Sequence, residues 1–401
     1  MNIKAYKYRI YANKATIEKL RWVLDRAREL YNAALAERKE AYRVAGKSIS
    51  YYEQKHDLVE IKNEIRPEYK DIASHVLQDV ILRVERAYQA FFRRVKNGEG
   101  PGYPRFQGRN RYDSFTYPDH AGWKLEGEHL HLSKIGTIKI ELHRPVQGNI
   151  KTCTIKREGE HWYVVFSCEV ETEELPVSYE DVGIDLGVTH FAALSNGEFI
   201  DHPRHFRRAE KKLAKAQQAL SRKKKGSHRR AKAARRVAKQ HRKIRNQRRD
   251  FQHKASRKLV NRYQIIVFED LQVKNLTKAP KPKQDEATGA YLPNGASAKA
   301  GLNKSILDAG WSTFTEMVKV KAASAGRTVI FVDPFMTSQL CSGCGAIVKK
   351  DLSERWHSCE CGTELDRDTN SAKLILSLGY RQLSARTEPT GQLPVEASRC
   401  T

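Results

Sequence analysis

Val182-Gly183-Ile184-Asp185-Leu186-Gly187-Val188 is an apolar run that carries one carboxylate and closes on a glycine. A second apolar run, Phe191-Ala192-Ala193-Leu194, follows, and Ser195-Asn196-Gly197 has the composition of a hairpin turn. The pattern predicts that Asp185 is presented from a central strand of a sheet. A buried carboxylate with no local partner is costly unless it is paired or holds a metal.

Two further acids stand in matching contexts. Glu269 closes Ile265-Ile266-Val267-Phe268, another candidate core strand, and Asp368 lies at the head of a helix predicted to run to about Leu378. A strand Asp, a strand Glu and a helix Asp can converge on one edge of an RNase-H-like α/β sheet. Three carboxylates gathered there repel one another unless divalent cations neutralise them. Two Mg²⁺ ions, ~3.5–4 Å apart, suit such a set and serve phosphodiester hydrolysis.

The chain has 401 residues, enough for two to four domains, and a formal net charge of +26. That balance points to a polyanion, most simply nucleic acid. No apolar run approaches the ~20 residues that span a bilayer, and the N-terminus lacks a signal-peptide core. The expectation is therefore a cytoplasmic protein with no membrane partner.

Residues 3–11 alternate as a half-exposed strand with a cationic face. From about Lys14 to Ala45 the period turns helical, with Leu20, Val23, Leu24, Ala27, Tyr31 and Ala34 on one face and Gly46 as the stop. A second helix is predicted from Tyr51 to Ile65 and a third from Ile72 to Val95, with Val76, Val80, Val84, Ala87 and Phe91 inward. Residues 103–178 read as β, with strands at Ser114–Tyr117, His129–Leu132, Thr137–Leu142, Ile150–Arg157 and Trp162–Glu169. With the first strand they predict a small barrel interrupted by a helical bundle. Tyr103-Pro104-Arg105-Phe106 sets a cation between aromatics, a mix suited to phosphate contact and base stacking, and marks Arg105.

Between Arg207 and Arg249 stand 20 Lys or Arg against one acid, Glu210, in helix-forming sequence broken at Lys225-Gly226-Ser227. Such density predicts a nucleic-acid track, with Arg229, Arg230, Arg235 and Arg236 as contacts. Residues 276–302 read as a mobile loop beside Glu269. One helix is expected over Ser305–Ala325, with Ile306, Ala309, Phe314, Met317 and Val320 inward, then a core strand at Thr328–Val332.

Cys341-Ser342-Gly343-Cys344 is followed, after 14 residues, by Cys359-Glu360-Cys361-Gly362. Four thiols beside glycines predict a closed, structural zinc site. The second pair is C-x-C rather than C-x-x-C, so His357 remains an alternative fourth ligand. Cys153 and Cys168 fall in strands as core residues, and Cys400 in an aperiodic tail.

Taken together, Gly183-Ile184-Asp185-Leu186-Gly187, Phe268-Glu269-Asp270-Leu271, Thr337-Ser338-Gln339 before Cys341, and Asp366-Arg367-Asp368-x-Asn370-x-Ala372 resemble TnpB, the insertion-sequence-encoded relative of type V CRISPR effectors. The order and spacing match over roughly residues 180–380. Ser358 stands where the family has the first Cys of its second pair. The resemblance implies an α/β multidomain protein: a RuvC-like nuclease domain (180–335 and 364–381) of RNase-H fold with a zinc-ribbon insertion (336–363). It further implies a wedge-like β-barrel (1–12 and 99–179) interrupted by a helical recognition insert (13–98), and residues 382–401 are expected to form a flexible tail. It implies a guide RNA from the transposon end, cleavage of double-stranded target DNA beside a short flanking motif, and a monomer within a ribonucleoprotein of a bacterial or archaeal nucleoid. The family's catalytic acids carry over onto Asp185, Glu269 and Asp368, with Asp185 shared between the two Mg²⁺ ions and one Zn²⁺ held by Cys341, Cys344, Cys359 and Cys361. The alternatives are a cleavage-deficient RNA-guided DNA-binding regulator and an integrase-type transposase that joins strands without RNA.

Overall fold

The computed structural model describes residues 2–387 except 110, 172, 173 and 352. The chain divides into two compact units, residues 1–172 and 173–401.

In the first unit, strand β1 (Asn2–Tyr11) turns Tyr6, Tyr8 and Ile10 inward at period two. Helix α1 (Lys14–Ala45) starts where the Asn13 side chain accepts the Thr16 N–H at 2.8 Å and ends on Gly46 in the left-handed conformation. All six apolar positions read from its periodicity are buried. Helix α2 (Tyr51–Glu60) opens with a Ser50/Glu53 capping box and runs into a wide turn, Ile61–Ile65, ahead of Pro67. Helix α3 (Ser74–Lys96) buries Val76, Val80 and Val84, but its inward face stops there, and Phe91 is only half-buried.

The remaining strands are β2 (Ser114–Tyr117), β3 (Trp123–Glu126), β4 (His129–Leu132), β5 (Gly136–Glu141), β6 (Asn149–Glu158) and β7 (His161–Val170). They form an antiparallel sheet of order β2-β6-β7-β1-β5-β4-β3. The expected barrel is thus a curled sheet: among the described residues no ladder joins β2 to β3. The Tyr117 hydroxyl instead donates to the Ser133 carbonyl at 3.0 Å, tying the two ends, and its ring fills the space left by Gly122. Cys153 and Cys168 lie fully buried in β6 and β7.

The second unit is built on β8 (Val182–Asp185), β9 (His190–Leu194) and β10 (Phe199–Asp201), then helices α4 (His205–Ser221) and α5 (His228–Arg262), then β11 (Ile265–Glu269). A short helix, α6 (Val273–Leu276), precedes a hairpin of β12 (Lys283–Gln284) and β13 (Tyr291–Leu292). Helices α7 (Ala296–Ala309) and α8 (Trp311–Ala323) lead to β14 (Thr328–Val332), the two short strands β15 (Trp356–Ser358) and β16 (Glu364–Asp366), and helix α9 (Arg367–Thr387). The sheet order is β10-β9-β8-β11-β14, with β8, β11 and β14 mutually parallel.

Three expectations change here. Residues 276–302 carry a hairpin and the start of a helix. The single helix over 305–325 is broken at Gly310, whose φ of 67° lies in the left-handed region. The break turns the second half, so that Val318 and Ala322 face inward and Val320 is exposed. The tail begins later than expected, because α9 continues to Thr387; residues 388–401, with Cys400, lie outside the described residues.

The two faces of the sheet explain the alternation of its strands. Val182, Ile184, Ile266 and Phe268 pack against Leu259, Ile306, Phe314 and Val318 on one side. Val267 packs against Ile330 and Ile375 on the other, beneath α9. Burying each such side chain contributes about 1.5–3 kcal/mol relative to exposure.

Candidate functional site

Period two decides where the strand acids go. Gly183 lies against α9: a Cβ there would sit 2.1 Å from the Ala372 carbonyl oxygen and 2.6 Å from the Leu376 nitrogen. Asp185, two residues on, has the same facing and ends the strand. Glu269 likewise shares the facing of Val267 at the end of β11. Phe268 pairs with Ile184, so Asp185 and Glu269 occupy the next rung of a parallel ladder, side by side. Asp368 lies in the first turn of α9, one turn before the Ala372 carbonyl that touches Gly183.

The electrostatics carry the same placement. Burial raises the Asp185 carboxyl well above its ordinary range, and the charges of Glu269 and Asp368 raise it further. Burial also raises Glu269, against a hydrogen bond donated by the Thr337 hydroxyl. Asp368 is raised by burial and by Asp366, against Arg355 and Arg367. The N-cap of α9 is Asp366, whose Oδ1 accepts from the Asp368 and Thr369 N–H groups at 2.9 and 3.2 Å. That leaves the Asp368 carboxylate uncommitted to capping, with Arg355 at 3.8 Å.

Such a hard-oxygen donor set, half-buried and mutually repelling, fits Mg²⁺ in its chemistry. Among the described residues, the group whose ligand atoms all lie within 4.8 Å of one another is Cys341, Cys344, Cys359 and Cys361; the carboxylates do not form so tight a group.

In that cluster the Cys341 and Cys361 sulfurs lie 3.7 Å apart, and those of Cys344 and Cys359 3.6 Å. A tetrahedral S₄ site with Zn–S of ~2.3 Å has edges of about 3.8 Å, so the spacing fits zinc. Gly345 and Gly362 both take positive φ in the turns behind the thiols. Burial pushes the Cys341 thiol up, but backbone N–H groups of Cys344 and Gly343 help draw it down to about 5. His357 is fully buried and its Nδ1 faces the Lys350 ammonium, while Ser358 donates to Glu364 at 3.2 Å. The C-x-C pair thus completes the gathering of thiols, and His357 backs it.

The basic stretch forms an antiparallel hairpin of α4 and α5 turned at Gly226. A groove of about 860 Å³ runs along it; eight of its twelve lining residues are Lys or Arg, among them Arg229 and Arg236, over a floor of alanines. Arg235 is exposed on the same hairpin, and Arg105 is exposed in the first unit. Arg230 differs from expectation: its Nη1 donates to the Leu220 and Lys223 carbonyls, both at 3.0 Å, and holds the turn together.

Four residues near the acids carried no readable signal of their role: Thr337, Arg355, Asp366 and Asn370. The fully buried Asn370 accepts from the Ser342 N–H at 2.9 Å and donates to the Leu340 carbonyl at 2.8 Å. Thr337, Asp366 and Asn370 stand in the runs Thr337-Ser338-Gln339 and Asp366-Arg367-Asp368-x-Asn370 quoted above, which by themselves name no role for them.

Three family profiles match parts of the chain. A family profile described as "Probable transposase" (OrfB_IS605) matches residues 165–279, and a "Cas12f1-like, TNB domain" profile matches residues 311–375. A profile described as "Helix-turn-helix domain" matches residues 1–47, which here form β1 and the single uninterrupted helix α1. The Cas_phi3 mini-RNA-guided endonuclease structure aligns over 97% of this chain and 93% of its own at 11% identity, with a TM-score of 0.45. A Cas12f1–sgRNA–target DNA complex aligns over 94% and 99% at 15% identity, with a TM-score of 0.33. InsQ of Escherichia coli (strain K12), provisionally named an RNA-guided DNA endonuclease, is 33% identical over 100% of this chain and 99% of its own. A Streptomyces pristinaespiralis protein with the same provisional name is 33% identical over 94% of this chain and 89% of its own. With that identity along its whole length, and with the three acids and four thiols standing in the order described, the chain belongs to the TnpB family of insertion-sequence proteins.

Proposed function

We propose that this protein is an RNA-guided DNA endonuclease that hydrolyses phosphodiesters of target DNA with Asp185, Glu269 and Asp368. The observation that carries the reading is the shared facing of Asp185 and Glu269 on adjacent strand ends, under the helix turn that bears Asp368. Two Mg²⁺ ions held by these three side chains would activate water and stabilise the charge at the scissile phosphate. The chain's own residues do the positioning. Thr337 fixes the Glu269 carboxylate, Asp366 fixes the first turn of α9, and Arg355 lies beside Asp368. A guide RNA would read sequence by base pairing, leaving duplex shape and a short flanking motif to the protein. Purified protein with its co-purified RNA should cut a matching DNA with Mg²⁺ and leave it intact in EDTA. Cutting of bare transposon ends by RNA-free protein would overturn the guided mechanism.

The basic hairpin is the proposed backbone track. Replacing both Arg229 and Arg236 by Gln should weaken nucleic-acid binding and flatten the slope of log affinity against log salt by roughly one to two units. Arg230→Gln should act differently, lowering the melting temperature by uncapping the turn with a smaller change in that slope. Equal slopes for wild type and the double variant would remove the groove from the interface.

The four thiols are the proposed structural zinc site. Cys344→Ser should lower thermal stability and reduce bound zinc from one per chain to a substoichiometric level, measured by elemental analysis. Full zinc stoichiometry in the variant would take Cys344 out of the ligand set.

A further inference from the structure

We propose that an aromatic cluster on the first unit is a stacking site for unpaired nucleotides of a single strand; this rests on the nucleic-acid reading above. The rings are Tyr88, Phe91 and Phe92 at the end of α3 and Tyr103 and Phe106 in the segment that follows. Tyr88 and Phe92 lie stacked with centroids 6.3 Å apart, and Phe91 meets Phe92 and Tyr103 edge-on at 5.1 and 5.2 Å. The Tyr88 and Tyr103 hydroxyls are 3.0 Å apart, which locks the pair.

Tyr88 packs against the core and Phe91 is half-buried, but the other three rings are largely exposed. The buried face of α3 ends at Val84, and Phe92, Phe106 and Tyr103 remain 61%, 50% and 45% exposed. Contiguous exposed aromatic surface marks an interaction site. Its charge selects the occupant. Lys39 places its ammonium 5.4 Å from the Tyr103 centroid and 5.0 Å from that of Phe106. Arg105, between Tyr103 and Phe106 in the sequence, is exposed, and Arg93, Arg94 and Lys96 close the last turn of α3. The adjacent acid Glu85 is taken by Arg38 at 2.6 Å. Flat rings among cations match nucleobases linked by phosphates, and the match is tolerant of sequence because every base offers a π-face. A fully paired duplex hides those faces in its own stack, so the site is specific for unpaired nucleotides.

The test uses full-length protein and short single strands carrying one 2-aminopurine, whose fluorescence falls on stacking, in an RNA arm and a DNA arm, with a blunt duplex for comparison. Wild type should quench the probe. The double variant Phe92→Ala, Phe106→Ala should lose the quench and bind single strands roughly 10- to 100-fold more weakly. Its duplex affinity and salt slope should hold, because no phosphate contact is removed. Phe106→Trp should retain binding and Phe106→Leu should not, which separates stacking from bulk hydrophobicity; melting curves of all variants should match wild type. A response in one arm alone supports the site and names which strand supplies the nucleotide. Unchanged quench and affinity in the double variant overturn the proposal while leaving the nucleic-acid reading intact. Failure of wild type to bind either strand overturns that reading instead. A change of oligomeric state with unaltered strand binding assigns the patch to a second copy of the chain and also overturns the proposal.

Discussion

Asp185→Ala is expected to abolish cleavage of target DNA, by on the order of a thousandfold or more, while target affinity stays close to wild type. The side chain lies at the end of β8 and does not line the basic hairpin groove, so on the proposed reading it would contribute charge at the cutting edge rather than grip on the backbone. A second signature is stability. Burial and the neighbouring Glu269 and Asp368 raise the Asp185 carboxyl in the folded protein. An acid with a raised folded-state pKa is held protonated by folding. The unfolded chain therefore releases its proton first, near the ordinary value of about 4. Stability is thus full below that value and is lost as pH rises from there through the raised folded value. In buffer free of Mg²⁺ but without EDTA, which would also strip zinc, the wild-type melting temperature should fall across that window, and Asp185→Ala should fall less. Added Mg²⁺ should restore the wild type and leave the variant nearly unmoved. Loss of target binding together with cleavage, or nicking at the wild-type rate, would sink the assignment.

Gly183→Ala is expected to be the most damaging single-methyl change in the second unit. The added Cβ falls 2.1 Å from a backbone oxygen and 2.6 Å from a backbone nitrogen of α9, and neither can swing aside. The helix must shift off the sheet, at a cost of about 1–3 kcal/mol or more. For a unit of this size each kcal/mol lowers the melting temperature by about 2–4 °C. Because Asp368 rides one turn from the contact, cleavage should fall further than stability alone predicts. Gly301→Ala is the control: it lies in α7 with nothing within 4 Å of the added methyl and should be neutral or slightly stabilising. Wild-type melting and cleavage in Gly183→Ala would refute the close-packing account.

Elements governed by local chemistry were readable in the sequence. The start of α1 at Lys14 and its stop at Gly46 stand as read, the strand β11 ends on its acid, and the apolar run of β14 is the strand itself. What was not readable depends on contacts distant along the chain. Nothing local distinguishes Gly310 in a left-handed break from a glycine tolerated within a helix, so α7 and α8 merged and Val320 was placed inward. Whether the first unit's sheet closes depends on how its edges meet, and the Tyr117–Ser133 bond that joins them leaves no periodic trace. At the candidate site, Asp185 stands out as the one carboxylate within an apolar run, Glu269 as the end of another and Asp368 as the head of a helix. Thr337 and Asn370 do not, because a hydroxyl or amide acting through hydrogen bonds to distant parts of the chain has no spacing signature. The bonds of Arg230 across the turn are unreadable for the opposite reason: within a run of cations, charge says nothing about which guanidinium also holds a turn.

The Asn370 amide has a further consequence. It clasps the chain on either side of Cys341 to the helix that carries Asp368 two residues earlier. Stripping the thiol-bound ion would loosen that clasp from the far side, so the ribbon and the blade act as one mechanical piece. A chelator selective for soft metal ions should then blunt nicking even with magnesium in excess, which would make the supply of one metal a throttle on chemistry performed with another.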